Sequence, residues 1–144
     1  MNYPDKEIVK LIAKHHIFTL ATSIEDQPYV CTCFYKYLPE NNLFIFTSDH
    51  GTRHVEEMVK NPQVAGAIAL ETSMVGKIQG LQFTGTAFEL KDEMYAMANA
   101  AYLKRFPVAG FKKLTLWALE PFFMKMTHNK LGFGKKLIWQ KKEF

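Results

Sequence analysis

The chain has 144 residues, 48% of them hydrophobic and 22% charged, and its formal net charge is +4 at pH 7. A chain of this size can bury a sufficient core without disulfides, so we expect residues 1–144 to form a single domain. The sequence has no apolar stretch of 18 residues and no signal-peptide layout, and its two cysteines are closely spaced, which together predict a cytoplasmic protein.

The positive charge is concentrated near the C-terminus. Residues 125–144 hold six lysines against Glu143 alone, whereas residues 1–124 hold 12 basic and 13 acidic residues. This basic tail and the strand aromatics leave nucleic-acid binding as a third, weaker hypothesis. The rest of the chain has no basic stripe and no ribonucleoprotein-like element, so we do not expect a nucleic-acid partner.

The first third of the chain predicts one helix and three strands. Ile8, Leu11 and Ile12 recur at helical spacing, and Pro4 and Asp5 mark the helix start. Three runs rich in β-branched and aromatic residues follow, at 17–23, 29–38 and 43–48. Because the loops between these runs are short, they predict an antiparallel meander.

The rest of the chain predicts two more helices and further strands. The helices run from Thr52 to Asn61 and from a cap at Asp92 to about Arg105, and the strand runs are 63–70, 78–90 and 114–127. Gly66 indicates close packing, Gly80 and Gly85 suit bends or bulges, and Pro121 is expected to break the last run into a strand pair.

These elements predict a mainly β protein with about three flanking helices. Six or seven antiparallel strands with tight turns and glycine corners favour a small closed barrel over an open sheet, because closure removes exposed strand edges.

The junction between the third strand and the second helix carries an unusual pair of residues. Gly51 and Thr52 supply the turn and the N-cap, but Arg53 and His54 place positive or titratable groups where the helix dipole disfavours them. With the free amides of a helix start they could hold an anion, and Lys36 could add charge. Spacing alone equally allows exposed basic residues whose charge the acidic pair 56–57 offsets.

Cys31 and Cys33 lie on one face of a predicted strand, about 7 Å apart by strand rise. A zinc site needs two more ligands, and no histidine lies at finger-like spacing. The sequence therefore predicts two small buried residues here and no metal site.

Other catalytic patterns are missing from the sequence. It contains no nucleophile elbow and no carboxylate pair suited to acid and base roles, and the segment "GFGKK" lacks P-loop spacing. The residues by themselves therefore identify no catalytic group.

Several motifs resemble those of the pyridoxamine 5′-phosphate oxidase-like, FMN-binding split-barrel superfamily. They are "PYVCTCFYKY", "LFIFTSDHGTRHVEEMVKNPQVA" and "QGLQFTGTAFEL". The motifs "TRH", "KRFPVAG" and "LGFGKKLIW" are similar, more narrowly, to its YhbP-like branch. The resemblance implies a split barrel, a homodimer and FMN at the subunit interface.

Carried over residue by residue, the resemblance implies a set of FMN-binding positions. Thr52, Arg53 and His54 match the phosphate-binding triplet. The strand-two element falls on Cys31, Thr32, Cys33 and Lys36, and the aromatic-threonine pair falls on Phe46 and Thr47. The family's glutamine has no clean match, with Gln79 and Gln82 as substitutes, and Gln82 is our candidate, with Thr32 and Cys33, for contacts to the flavin ring or ribityl chain.

Two positions depart from the family pattern. Cys31 replaces an arginine and His54 replaces a lysine, which implies weaker FMN affinity or another ligand, with affinity falling as pH rises through about 6 to 7. The Trp-x-x-Arg-Leu-x-Pro ending is absent, so we do not expect pyridoxamine 5′-phosphate oxidase activity.

The resemblance leaves two classes of function open. One is an FMN-dependent oxidoreductase acting on a small organic molecule, in which the flavin supplies the redox chemistry. The other is a non-enzymatic binder of haem, flavin or another phosphorylated small molecule, with His50, His54 or His128 as haem ligands.

Overall fold

In the computed structural model, which describes residues 2–142, seven strands form one antiparallel sheet. The strands are β1 (Ile17–Ile24), β2 (Gln27–Leu38), β3 (Leu43–Thr47), β4 (Gln63–Ala69), β5 (Gln79–Glu89), β6 (Leu116–His128) and β7 (Lys136–Gln140). Their order is β3-β2-β1-β4-β5-β6-β7, and β3 also pairs with β6. This last pairing closes the sheet into a ring, as the sequence predicts.

Three α-helices flank the ring: α1 (Lys6–Lys14), α2 (Arg53–Lys60) and α3 (Asp92–Arg105). Asp5 caps α1 by accepting the Glu7 amide at 2.8 Å, as predicted. The N-cap of α3 is Lys91 rather than the predicted Asp92, which is the first residue of the helix and has a φ of 55°. None of the helices in residues 2–142 combines the length and hydropathy needed to cross a membrane.

Two apolar clusters form the core. Inside the ring, Phe18 contacts Tyr35 and Phe46, and the rings of Phe44 and Phe83 stack with their centroids 4.6 Å apart. Side chains of α1 and α2 join this inner cluster. The second cluster lies outside the ring, where α3 packs on β3 and β6.

Gly66 allows a strand and a ring to approach closely. A Cβ atom at this position would lie 2.3 Å from the Phe83 ring, so a larger residue here would force the buried ring to shift. The close packing predicted at this glycine is confirmed.

Pro121 does not break the sixth strand, and this part of the prediction is wrong. β6 runs from Leu116 to His128 without interruption. The pairing with β5 shifts register between Thr84 and Gly85, so that Gly85 faces Pro121 while Thr84 faces Phe123. The bulge accommodates the missing proline N–H, since prolines within sheets are tolerated at bulges.

The basic C-terminal segment is part of the sheet rather than a free tail. β7 pairs with β6 over five residue pairs from Phe123 to Thr127, and Trp139 is buried in the inner core. Of the segment's lysines, Lys125 lies on β6 and Lys136 on β7, whereas Lys130, Lys135, Lys141 and Lys142 lie outside the strands.

Candidate functional site

The turn between β3 and α2 places the predicted anion-binding residues at one end of the ring. Gly51 has a φ of 95°, which favours glycine, and Thr52 is the N-cap residue of α2. The Thr52 hydroxyl does not cap the helix but donates to the carbonyl of Asp49 at 2.9 Å. The first amides of α2 therefore receive no side-chain cap from Thr52, which leaves a helix N-terminus suited to an anion.

Arg53 is held by its own helix and by β2. Its Nε atom lies 2.8 Å from a carboxylate oxygen of Glu57, and its guanidinium lies 4.1 Å from the centroid of the Tyr29 ring. The other oxygen of Glu57 accepts the Thr22 hydroxyl at 2.9 Å. The Arg53 side chain is still 53% exposed, so it is both positioned and accessible to a ligand. The sequence-based expectation that the acidic pair offsets this charge is confirmed for Glu57.

His54 points away from solvent. Its Nε2 atom lies 2.7 Å from the hydroxyl oxygen of Ser48, and the ring is half-buried. Burial lowers the pKa of His54, so the ring is neutral at pH 7. The permanent positive charge expected at this position in the family is thus absent in this chain.

The two cysteines of β2 lie beside His54. The Sγ atoms of Cys31 and Cys33 are 4.0 Å apart, and these two sulfurs and a His54 ring nitrogen all lie within 4.8 Å of one another. The sulfur-sulfur hydrogen bond to Cys33 lowers the pKa of Cys31, whereas the same bond and burial raise that of Cys33. Sequence spacing does not connect His54 with these cysteines, because it lies at least 21 positions and two turns further along the chain.

Thr32 and Gln82 lie on the opposite, outer face of the sheet. Thr32 pairs with Thr19, Thr19 pairs with Ala67, and Ala67 pairs with Gln82, so all four lie in one row. Both Thr32 and Gln82 are exposed. Three inter-strand steps separate them by about 14 Å within one chain.

The remaining predicted positions are dispersed. Phe46 is fully buried in the inner core, and the hydroxyl of Thr47 donates to the carbonyl of Thr115 at 2.9 Å. Lys36 lines a separate surface cavity with Lys104 and Arg105. Lys36 alternates with the inward-facing residues of β2. Within one protomer it therefore does not lie beside Arg53 and His54.

The three histidines considered as haem ligands occupy different surroundings. His50 pairs with Glu89 at 2.8 Å, while His54 bonds to Ser48. His128 has a buried Nδ1 atom with no hydrogen-bond partner among residues 2–142, and it lines a cavity with several lysines. The structure therefore does not bring them together into one site.

Two residues of this region were missed by the sequence analysis. Ser48 contacts His54 through its hydroxyl, and its carbonyl accepts the indole N–H of Trp117 at 3.1 Å. Tyr29 supplies the ring beneath Arg53. The Ser48–His54 contact crosses the β3–α2 turn, and the Tyr29–Arg53 contact connects β2 with α2. Sequence spacing therefore indicates neither contact.

The closed antiparallel ring with helices at its ends and on one side defines the chain as a split-barrel protein. The family model described as pyridoxamine 5′-phosphate oxidase matches residues 4–121. The UPF0306 protein plu4501 of Photorhabdus laumondii is 40% identical over 93% of this chain and 94% of its own length. The UPF0306 protein YE0465 of Yersinia enterocolitica is 40% identical over 99% of both chains. The chain therefore belongs to the pyridoxamine 5′-phosphate oxidase family and to its UPF0306 group.

Solved structures of the same fold include binders of different cofactors. A haem-binding protein from Mycobacterium smegmatis has a TM-score of 0.75 and 18% identity, over 90% of this chain and 55% of its own. A FAD-binding protein from Mesorhizobium loti has a TM-score of 0.69 and 18% identity, over 83% and 89%. The haem storage protein HutZ from Vibrio cholerae has a TM-score of 0.67 and 20% identity, over 84% and 91%. At these identities the likeness establishes the fold.

Proposed function

We propose that this protein binds FMN and that the flavin phosphate lies at the N-terminus of α2. The observation that carries the proposal is the uncapped start of this helix beside an accessible Arg53. A helix N-terminus presents amide donors and positive potential, and an arginine adds charge-assisted hydrogen bonds to phosphate. In this arrangement His54 contributes its backbone amide, since its ring is turned towards Ser48.

The proposal includes a homodimer that is formed through the outer face of the sheet. Val30 and Ile138 on this face are 59% and 64% exposed, and the small side chains of Thr19, Ala65 and Ala67 lie between them. The helices pack elsewhere, because α1 and α2 join the inner core and α3 covers β3 and β6. A second copy would cover the apolar side chains and bring another protomer towards Thr32 and Gln82.

In the dimer the flavin would carry out oxidation or reduction of a small organic molecule. The bound flavin supplies the redox chemistry, and the protein supplies phosphate binding, positioning and exclusion of water. Thr32 and Gln82 are the proposed contacts to the ring or ribityl chain. An NADH-dependent bleaching of the bound flavin under anaerobic conditions would support a nicotinamide electron source.

Flavin binding can be measured by titrating the purified protein with FMN and following the quenching of flavin fluorescence. Arg53→Gln should weaken binding roughly 10- to 100-fold, because charge-assisted hydrogen bonds to the phosphate are lost. Lys60→Gln, at the other end of the same helix, should leave the affinity unchanged. If the wild-type protein releases no flavin on denaturation and binds none with excess FMN, the proposal is wrong.

Haem binding is the second candidate, favoured by the two haem-binding proteins among the structural neighbours. A Soret band on titration with haem would support it, and loss of that band in one of three variants, His50→Ala, His54→Ala or His128→Ala, would identify the ligand. A protein that binds FMN but shows no Soret shift on titration with haem would support flavin as the ligand.

A further inference from the structure

The start of α2 and the middle of β2 form a cluster of two thiols and one imidazole. The Sγ atoms of Cys31 and Cys33 lie 4.0 Å apart, and with a His54 ring nitrogen they fit within 4.8 Å. We propose that these three side chains form a binding site for a thiophilic metal ion of the Zn²⁺ class. The inference does not depend on flavin binding.

The sulfur-sulfur distance suits a shared metal. Two thiolates on one tetrahedral Zn²⁺, each at about 2.3 Å, are separated by about 3.8 Å. The observed 4.0 Å requires little movement of either side chain. The cysteines therefore have nearly the spacing that a bound ion would impose.

A disulfide suits the same two residues less well. Cys31 and Cys33 are two residues apart on an extended strand, so their Cα atoms are about 6.7 Å apart, near the upper limit for a disulfide. Closing the bond would distort a strand that is paired with β1 across both positions. Metal binding, in contrast, leaves the backbone of β2 in place.

The charge of the site also favours a divalent ion. Two thiolates and a neutral imidazole neutralise one Zn²⁺, which limits the cost of placing charge in a site where Cys33 is buried.

With Nδ1 of His54 as the proposed metal ligand, Ser48 would act as a positioning residue for this site. Its hydroxyl is 2.7 Å from Nε2 of His54, and its carbonyl is fixed by the Trp117 indole N–H. Hydrogen bonds of this kind orient metal-binding histidines. Three protein ligands leave one coordination position for water or an exogenous ligand, as in many zinc sites that are not purely structural.

The test uses the full-length, reduced, metal-stripped and flavin-free protein. Titration with Co²⁺ should produce a thiolate-to-cobalt charge-transfer band that saturates at one ion per chain, and Zn²⁺ should displace it. Zn²⁺ should also raise the melting temperature, because its ligands connect β2 with α2 and binding stabilises the folded state. Absence of the thiolate band at saturating Co²⁺ would overturn the proposal.

Variants then assign the ligands. Cys31→Ser, at the half-buried position, and His54→Gln should each weaken Zn²⁺ binding at least about 100-fold, more than loss of an orienting group does. Ser48→Ala should weaken it about 10-fold. His50→Gln, which changes a histidine outside the cluster, should retain wild-type affinity. Unchanged Zn²⁺ affinity in folded Cys31→Ser and His54→Gln proteins would place the metal elsewhere.

The metal and flavin proposals fail separately. A protein that binds Zn²⁺ with this dependence on Cys31 and His54 but never binds FMN supports the metal site and rejects the flavin function. A protein that binds FMN but forms no cobalt-thiolate complex supports the flavin function and rejects the metal site.

Discussion

His54 shows how tertiary contacts change the chemistry expected of a residue. In the sequence it is a titratable substitute for a lysine, but in the structure it is half-buried against Ser48 and faces Cys31 and Cys33. Burial lowers its pKa from the ordinary value near 6.5, so protonation requires a lower pH than the sequence alone predicts. FMN affinity should therefore not depend on this ring between about pH 7 and 8.

The lowered pKa of His54 also predicts a pH dependence of stability. The unfolded chain binds a proton at His54 near pH 6.5, before the folded chain does, so stability is greatest above that pH and falls as pH decreases towards the folded-state pKa. Urea unfolding at several pH values should show a smaller decrease in His54→Gln than in the wild type. His16 also has a lowered pKa, and its contribution is the same in both proteins. Identical pH profiles for the two proteins would contradict the burial argument.

Arg105 connects three elements of the fold. Its guanidinium donates to the carbonyl of Tyr35 at 3.0 Å and to the carbonyls of Ala13 and His15. One side chain at the end of α3 thereby satisfies backbone acceptors from β2 and from the end of α1.

Replacing Arg105 should destabilise the fold. Arg105→Lys should lower the free energy of unfolding by about 2 kcal/mol, because a single ammonium cannot reach carbonyls on both sides as the planar guanidinium does. Lys104→Ala serves as the control, since this exposed neighbour makes none of these bonds. Chemical denaturation measures both, and equal stability of Arg105→Lys and the wild type would show that the connection contributes little.

At the scale of elements, β6 contains a bulge opposite Gly85 that shifts the register of its pairing with β5. This one long strand also pairs with β7 and with β3. A Cβ atom at Gly85 would lie 2.2 Å from the carbonyl oxygen of Glu120, and this backbone atom has no freedom to move aside.

Gly85→Ala should therefore strongly destabilise the protein. We expect a loss of about 3 kcal/mol, at the upper end of overpacking effects, because backbone must shift on both strands. Gly76→Ala is the matched control, since a Cβ atom there meets nothing within 4 Å. Thermal melts of the two variants give the comparison, and a Gly85→Ala protein as stable as the control would mean that the bulge relaxes freely.

At the scale of the whole molecule, the outer face of the sheet remains uncovered by the helices described above. The proposed dimer buries this face, which carries the exposed apolar side chains of Val30 and Ile138. Ala67 lies at its centre, between Thr19 and Gln82, and is exposed in the single chain.

A charge at this centre should separate the protomers without unfolding them. Ala67→Glu is expected to convert a dimer into a monomer in sedimentation velocity experiments, because two carboxylates would be buried unpaired at the seam. Val108→Glu changes an 87% exposed residue outside the sheet and should leave the dimer intact. A wild-type protein that sediments as a monomer at micromolar concentration would reject the proposed assembly.

The sequence by itself predicted six of the seven strands, the three helices and the closed antiparallel barrel, but not β7. These depend on local signals, namely alternating or helical hydrophobic spacing, turn residues, and glycines at bends. Its main error, the expected break at Pro121, arose because the bulge that accommodates this proline depends on the pairing of β6 with β5, which the local sequence does not show.

Only the tertiary structure decided which side chains of the candidate site meet. Alternation along β2 separates Lys36 and Thr32 from the cysteines, while the turn into α2 brings His54 to Cys31 and Cys33. The predicted anion-binding segment thus combines an accessible Arg53 at a helix start with a neutral imidazole beside two thiols. Sequence spacing cannot reveal this arrangement, because contacts between β2 and α2 depend on how the ring closes.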